Sequence, residues 1–176
     1  MKTEDSIRKR RSIRKYSSKN VKFSDITEIC DAARLAPLAG NIAYLKIIVV
    51  SNKSKIKELA QASQQPFIAD APYVLVLCSD KSHVLKSFPD VGERYIKQQA
   101  GAAVENMLLR ITDLKLASCW IGWFDDNEIK RIFKIPARVD IEALIPVAHP
   151  IKEPGKIYKQ NLGQILYYDT WNNKKK

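Results

Sequence analysis

The segment from Gln98 to Ala117 carries apolar residues at helical spacing, and this pattern limits the possible folds more than any other feature of the chain. Residues at i, i+3 and i+4 share one face of an α-helix, so the segment predicts a long helix with one apolar face. That face consists of Ala100, Ala103, Val104, Met107, Leu108, Ile111 and Leu114. A long apolar face has to be buried, and a β-sheet offers a surface broad enough to cover it.

Four short apolar segments predict the strands of such a sheet. They are LKIIVV (45–50), PYVLVLCSD (72–80), ASCWIGWF (117–124) and ALIPVAHP (143–150). Helix-like segments separate them along the chain. This order predicts a layered α/β protein in which helices cover a sheet.

Capping residues and prolines indicate where the other helices begin and end. Thr3 is expected to cap a first helix, and Ser24 to open a second one that Pro37 ends. KSKIKELAQA (53–62) predicts a surface helix, and DDNEIKRIFKIP (125–136) a short capped helix. The aromatic segment GQILYYDTW near the C-terminus is expected to be extended or helical.

Length and composition predict one cytoplasmic domain. The chain has 176 residues and no internal repeat, so we expect a single domain over residues 1–176, with 171–176 as a frayed basic tail. No apolar run reaches the roughly 18 residues that a membrane span needs. The first residues also lack the apolar stretch of a secretory signal.

The cysteines and histidines argue against a disulfide framework and a metal site. Cys30, Cys78 and Cys119 are odd in number and lie in apolar segments, which predicts buried, reduced thiols. The two histidines, His83 and His149, are far apart in sequence, and no cysteine pair has CxxC spacing. We therefore expect no bound metal.

The basic excess indicates an anionic partner. The formal net charge is +11, and RKRRSIRKY (8–16) concentrates basic residues around one serine. This stretch suits a solvated basic face, a nucleic-acid arm or a cradle for one phosphate group. Nucleic-acid binding is disfavoured, because the basic residues are not interleaved with clustered aromatics and no zinc-finger, RNP1 or GXXG signature is present. No GxGxxG or GxxxxGK[ST] loop follows a strand, so side chains must hold any phosphate.

The opening motif and four later segments resemble the FMN-dependent nitroreductase family. RRSIRKY (10–16) is similar to the family's RRSxRxY/F signature. The later segments agree in order and spacing, and the match runs from about Ser6 to Trp171. They are AARLAPLAGN (32–41), QPFIADAPYVLVLCSD (65–80), GAAVENMLLRITDLKLASCWIGWF (101–124) and EIKRIFKIP with ALIPVAHP (128–150).

The resemblance implies an architecture and an assembly. The expected fold is α+β, with three α/β/α layers around a mostly antiparallel sheet. Family members are homodimers with FMN bound between subunits. Tyr167, Tyr168 and Trp171 would then belong to a C-terminal arm that packs on the partner subunit, since exposed aromatics are costly on a lone chain. Folding back onto the same subunit is the alternative.

The resemblance assigns the opening motif to the FMN phosphate. Arg10 and Ser12 would bind it through charge-assisted hydrogen bonds, and Arg11 would assist there or through its backbone. Arg14 would lie nearer the pyrimidine edge of the flavin, where positive charge raises the reduction potential. A solvated basic helix end is the alternative for the whole group.

Two further segments are implied to contact the flavin ring. Asn41 matches an asparagine that recognises the ring edge, although Gly40-Asn41 also suits a plain turn. Trp120, Ile121 and Gly122 match the strand that passes the flavin, where a glycine permits close approach. The alternative for this strand is ordinary core packing.

Late lysines are implied to return to the phosphate. Lys156 and Lys159 lie where the family carries basic residues, and Lys159 fits better because it precedes the aromatic tail. An exposed surface role is the alternative for both.

Three departures from the family pattern leave the ring-edge contacts and the pocket shape open. Leu38 replaces a serine, Ala43-Tyr44-Leu45 replaces a QPW sequence, and Gln99 stands where an aspartate is usual. The phosphate motif itself is intact.

The resemblance implies an FMN-dependent oxidoreductase. NADH or NADPH would reduce FMN by hydride transfer to N5, and a small-molecule acceptor such as a nitroaromatic or quinone would take the electrons in a ping-pong cycle. No catalytic side chain is expected, because the flavin carries the chemistry. The alternatives are a flavin-storage or sensing module without turnover and, less favoured, a basic nucleic-acid-binding protein.

Overall fold

The structure is a computed structural model that describes residues 2–152, 155 and 158–174. Its helices are α1 (Thr3–Lys9), α2 (Phe23–Arg34), α3 (Lys53–Ala62), α4 (Ser82–Ser87), α5 (Gly92–Asp113), α6 (Asp126–Phe133) and α7 (Leu162–Ile165). Its strands are β1 (Tyr16–Ser17), β2 (Leu45–Val50), β3 (Tyr73–Asp80), β4 (Ala117–Ser118) and β5 (Val139–Pro150). Short 3-10 turns occupy Ala39–Asn41 and Pro66–Asp70.

The strands form an antiparallel sheet in the order β1-β5-β3-β2, and β4 also pairs with β5. Strand β5 is central, because β3 pairs along one edge while β4 and β1 pair along the other. The register places Ala117 opposite Ala148, and Tyr16 opposite Pro150. The motif-bearing segments at the N-terminus and after α5 therefore meet on one edge of β5.

Alternation along β3 explains why helices cover both faces of the sheet. Successive side chains of a strand point to opposite faces. Val74, Val76 and Cys78 belong to a core cluster that includes residues of α3 and α6, whereas Leu75 and Leu77 belong to one that includes α2 and α5. The result is three layers, which confirms the expected α+β fold with a mostly antiparallel sheet.

The helix predictions are confirmed in position and corrected at their caps. The apolar face of α5 is buried as expected from Ala100 to Ile111. Thr3 is the first helical residue and Lys2 occupies the N-cap, so the predicted Thr3 cap is wrong. Helix α2 begins at Phe23, before Ser24, and ends at Arg34, ahead of Pro37.

The predicted strand at residues 117–124 is only partly correct. Ladder pairing is limited to Ala117–Ser118 and one bridge from Ile121 to Leu144. Ile121 is buried, but Trp120 and Trp123 are 42% and 61% exposed. Beyond Ser118 the segment therefore runs mostly outside the ladder, with the side chains of Trp120 and Trp123 partly exposed.

Two features are absent from the described residues. None of the helices there is long and apolar enough to cross a membrane. No group of three or more His, Cys, Asp or Glu side chains in the same part of the chain is placed to hold a metal ion.

Candidate functional site

The opening motif lies directly beside the segment that leads to Trp120. Helix α1 ends at Lys9, and Arg10 is its C-cap with extended backbone angles (φ −53°, ψ 130°). The chain then runs parallel to β4, with Ser12 bridged to Ser118. The backbone N–H of Ile13 donates to the carbonyl oxygen of Ser118 at 2.8 Å. This hydrogen bond fixes the register between two segments that are far apart in sequence.

Helix α5 brings Arg10 and Trp120 to the same flank. The Nε of Arg10 lies 3.4 Å from Oε1 of Glu105. The indole of Trp120 lies over Gly101, with its nearest atom 3.9 Å from where a Cβ would stand. Positions 101 and 105 are about one helical turn apart on one side of the helix. The guanidinium and the indole are therefore neighbours.

The side chains of the motif divide between two environments. Ser12 and Arg14 are exposed. Arg11 instead donates from Nη1 to the carbonyl oxygens of Arg8 (2.6 Å) and Arg10 (2.8 Å), which satisfies acceptors at the end of α1. Arg11 and Ile13 line a cavity that Ser12 and Arg14 do not line. The two exposed side chains thus form a surface separate from that of Arg11.

Arg14 lies close enough to Tyr16 to influence the pKa of its hydroxyl. Burial, together with Cys119, raises the pKa of the Tyr16 hydroxyl well above its ordinary value, and the positive charge of Arg14 opposes that rise. The Tyr16 hydroxyl is buried and has no hydrogen-bond partner within the described residues. Tyr16 therefore stays neutral at physiological pH.

Gly122 leaves open space beside the exposed indole. It is exposed, and a Cβ built there would meet nothing nearer than Nε1 of Trp120 at 3.8 Å. The adjacent Ile121 is 5% exposed and anchors the backbone through its bridge to Leu144. A fixed backbone beside open space is what a flat ring needs for close approach.

Asn41 is held on a different side of α5. Asn41 has a left-handed φ of 54°. The preceding residue, Gly40, also has a left-handed φ, of 58°, and lies against the ring of Phe88. The backbone N–H of Ala39 donates to Oε1 of Gln99 at 3.0 Å. Position 99 lies nearly opposite position 101 around the helix. Within one chain, the Asn41 turn is therefore not brought to Arg10 and Trp120.

The late lysines are not joined to the motif in this structure. Lys156 lies outside the described residues. Lys159 is exposed, and no hydrogen bond or ion pair links it to Arg10 or Ser12 in the part of the chain that the structure describes.

The C-terminal segment is apolar, exposed and internally braced. Leu162, Ile165 and Trp171 are 63%, 54% and 80% exposed. The ammonium of Lys174 donates to the carbonyl oxygens of Gly163, Gln164 and Leu166 at 2.8–3.0 Å. It also lies 3.8 Å from the centre of the Tyr167 ring. The segment therefore presents a preformed apolar surface.

Sequence reasoning missed Glu105 and Ser118. Glu105 lies within the predicted helix, four residues after Gly101. That spacing places both residues on one side of the helix and was the available signal. Ser118 directly precedes Cys119-Trp120 but was read only as part of a strand. It is 3% exposed, and its Oγ has no hydrogen-bond partner within the described residues.

The arrangement supplies hydrogen-bond donors and positive charge. Arg10, Ser12 and Arg14 suit a phosphate and an electron-rich ring edge. A flavin mononucleotide fits this donor set together with the open space at Gly122. No side chain among Arg10, Ser12, Arg14 and Trp120–Gly122 is an obvious general acid or base near neutral pH.

Comparisons with known proteins agree on one family. The sequence model of the Nitroreductase family matches residues 7–65 and 57–149. A protein of Methanothermobacter thermautotrophicus, provisionally named NADH dehydrogenase/NAD(P)H nitroreductase, is 31% identical over 156 residues, which cover 86% of this chain and 78% of that protein.

Solved structures show the same fold. An FMN-dependent nitroreductase of Clostridium difficile superposes with a TM-score of 0.82 at 25% identity, over 96% of this chain and 99% of that one. The NADPH:FMN oxidoreductase of Vibrio harveyi, complexed with NAD+, gives a TM-score of 0.86 at 21% identity, over 97% and 78% of the two chains.

Proposed function

Because the chain belongs to the nitroreductase family, we propose that it binds FMN and acts as an NAD(P)H-dependent flavin oxidoreductase. The family resemblance expected from the sequence is confirmed by these matches. The observation that carries the proposal is the 2.8 Å hydrogen bond from Ile13 to Ser118, which holds the phosphate-type motif beside the Trp120–Gly122 segment.

One end of the proposed site binds the FMN phosphate, and the other end holds the flavin ring. Arg10 and Ser12 bind the FMN phosphate, and Arg14 lies towards the ring with its positive charge. Gly122 allows the ring to approach the backbone, and the buried Ile121 keeps that backbone in place. Lys159 is the late basic residue that we assign to the phosphate. Arg11 contributes through its backbone, because its guanidinium is engaged at the end of α1.

The protein's own contribution is binding, orientation and electrostatics. Bound FMN supplies a two-electron carrier that accepts a hydride from NADH or NADPH and then reduces a second substrate. Arg14 stabilises negative charge at the pyrimidine edge and so favours reduction. Trp120 covers one end of the open space and limits the access of water. One substrate leaves before the next binds, which makes the cycle ping-pong.

A homodimer completes the site. The Asn41 turn is tied to Gln99, away from the flank that holds Arg10 and Trp120. Asn41 can therefore reach a ring edge only in the site of a second copy. The exposed segment around Leu162, Ile165 and Trp171 supplies apolar surface for the same association.

The whole chain forms one FMN-binding domain in this proposal, and its electron acceptor is a small molecule. A nitroaromatic or a quinone suits an open, flat site bordered by the Trp120 indole.

An absorption spectrum of the purified protein tests the function directly. We expect a yellow protein whose flavin band bleaches when NADH or NADPH is added without oxygen, and recovers when a quinone follows. A yellow protein that neither donor bleaches would be a flavin-storage or sensing module. A colourless protein that ignores added FMN would overturn the assignment.

A further inference from the structure

A cavity of about 340 Å³ lies behind the opening motif, on the side that carries Arg11 and Ile13. Small-molecule sites range from roughly 300 to 1,000 Å³, so this volume suits a compact ligand. Ser12 and Arg14 do not line it. The cavity therefore lies behind the Ser12 and Arg14 surface that we assign to FMN, and it adjoins that surface at Arg10, which lines the cavity.

Four cations line the cavity, and its charge is not balanced from within. They are Lys9, Arg10, Arg11 and Lys115. None of the described residues that line it is acidic. Arg11 donates to two neutral carbonyl groups, so those contacts leave its positive charge uncompensated. Arg10 shares its charge with Glu105 across 3.4 Å, at the boundary with the FMN surface. The remaining positive field favours an anion.

A buried hydroxyl group in the same wall lacks a partner. Ser118 is 3% exposed, and its Oγ makes no hydrogen bond within the described residues. Buried hydroxyls are nearly always paired, so such a group in a cavity wall calls for an explanation. An oxygen atom of a bound anion would accept its hydrogen bond. The unpaired hydroxyl is a second observation beside the cations, since it belongs to a residue of the cavity wall.

The remainder of the wall is apolar. Leu108, Ile111 and Leu116 are between 1% and 5% exposed and line the cavity beside the cations. An inorganic ion would leave this part of the wall unfilled. A ligand with an apolar group next to its charged group would cover both parts.

We propose that this cavity binds a small organic anion, in which a carboxylate or phosphate group is joined to an apolar group, at a site separate from that of FMN. The anionic group contacts Lys115, Arg11 and the Ser118 hydroxyl, and the apolar group lies against Leu108 and Ile111. The site goes beyond the proposed function, because it does not require that FMN be bound.

The test uses the full chain saturated with FMN and two probes, hexyl phosphate and hexanoate, in calorimetric titrations. We expect one site per chain for at least one probe, and binding at least tenfold weaker for inorganic phosphate, which lacks the apolar group. Tighter binding of hexyl phosphate assigns the site to phosphate esters, and tighter binding of hexanoate assigns it to carboxylates.

Two variants and a matched control separate this site from general charge effects. Lys115→Gln and Ser118→Ala should each weaken the better probe about three- to tenfold, and Lys115→Gln should leave the FMN dissociation constant unchanged. Lys134→Gln is the control, because Lys134 is also an exposed lysine with a left-handed φ after a helix, 54° against 57° for Lys115. It should bind the probe like the parent protein.

Four results would overturn the proposal. The first is that neither probe binds at millimolar concentration. The second is that Lys115→Gln and Lys134→Gln behave alike. The third is that FMN displaces the probe, which would make the cavity part of the FMN site. If Ser118→Ala only raises the melting temperature without changing probe binding, the hydroxyl is a structural defect and the proposal also fails. Failure of the parent protein to bind FMN would instead contradict the proposed function.

Discussion

Arg10 and Glu105 form an ion pair, with 3.4 Å between Nε and Oε1, at the point where the opening motif meets α5. Glu105 is 46% exposed, and its negative charge lies next to the guanidinium that we assign to the FMN phosphate. Glu105→Gln should therefore tighten FMN binding by about 0.2–1 kcal/mol, because it removes a repulsion that water partly screens. Titration of flavin fluorescence measures the change. Weaker binding would show that Glu105 acts by orienting Arg10.

Arg10→Ala should weaken FMN binding by about 1–3 kcal/mol, since a charge-assisted contact with the phosphate is lost. Ser12→Ala should act in the same direction with a smaller effect. Arg8→Ala is the matched control, because Arg8 is exposed and pairs with Glu4 within α1. Equal losses in Arg8→Ala and Arg10→Ala would mean that FMN responds to net charge and not to a defined contact.

Gly122→Ala should separate binding from stability. A Cβ at this position has no neighbour closer than 3.8 Å, so the melting temperature should change by less than about 2 °C. The added methyl group would occupy space beside the proposed flavin ring, and FMN binding should weaken about tenfold, or about 1.4 kcal/mol. Thermal denaturation of the FMN-free protein and a flavin titration measure the two effects. Unchanged FMN affinity would place the ring elsewhere.

Acid should weaken the fold through Asp140. Burial alone would raise the pKa of this carboxyl group, but the hydrogen bond from Lys81 and the charges of Lys97 and Lys81 outweigh burial and lower it. The unfolded value is about 3.9, so the stabilisation is complete above that pH and is lost as the pH falls through the lower, folded value.

Asp140→Asn should therefore reduce the free energy of unfolding by about 0.5–1 kcal/mol at pH 7, and the difference from the parent should shrink below about pH 4. Urea denaturation at pH 7 and pH 3 measures it. Asp90→Asn, at an exposed position, is the control and should show no such pH-dependent difference. A difference that persists at pH 3 would mean that the carboxylate charge is not responsible.

The C-terminal segment should hold the dimer together. Trp171→Ala and a chain ending before Gly163 should both shift the protein towards monomer, because each removes exposed apolar surface. Analytical ultracentrifugation at micromolar concentration measures the shift. Leu35→Ala is the control, an exposed apolar residue (65%) outside the segment. If Leu35→Ala dissociates the dimer and Trp171→Ala does not, the interface involves α2 instead.

The sequence predicted the layered fold well because its strongest signals are local. The apolar residues of α5 and of KSKIKELAQA repeat with the helical period, LKIIVV is a short apolar run, and the structure gives the same segments. Helix caps were less predictable. Asn52 and Asp125 cap their helices through side-chain oxygens, whereas Thr3 and Ser24, which are equally suitable chemically, do not.

The sequence predicted which residues belong to the candidate site, but not how their side chains are placed relative to one another. Periodicity says nothing about which side of a strand faces which cavity, so the separation of Arg11 from Ser12 could not be read from the motif. The Arg10–Glu105 and Ala39–Gln99 contacts join residues more than fifty positions apart. Such contacts follow from how the layers pack, and no local pattern encodes them.

Strand β5 is paired along both of its edges, with β3 on one and with β1, β4 and Ile121 on the other. Because Leu144 and Val147 have partners on both edges, we expect the amide protons around these residues to be among the slowest in the molecule to exchange with solvent. Ser118, Ile121 and Tyr16 are attached to this slowly exchanging strand. We therefore expect ligands of the proposed site to enter and leave with little rearrangement of the backbone that these residues fix.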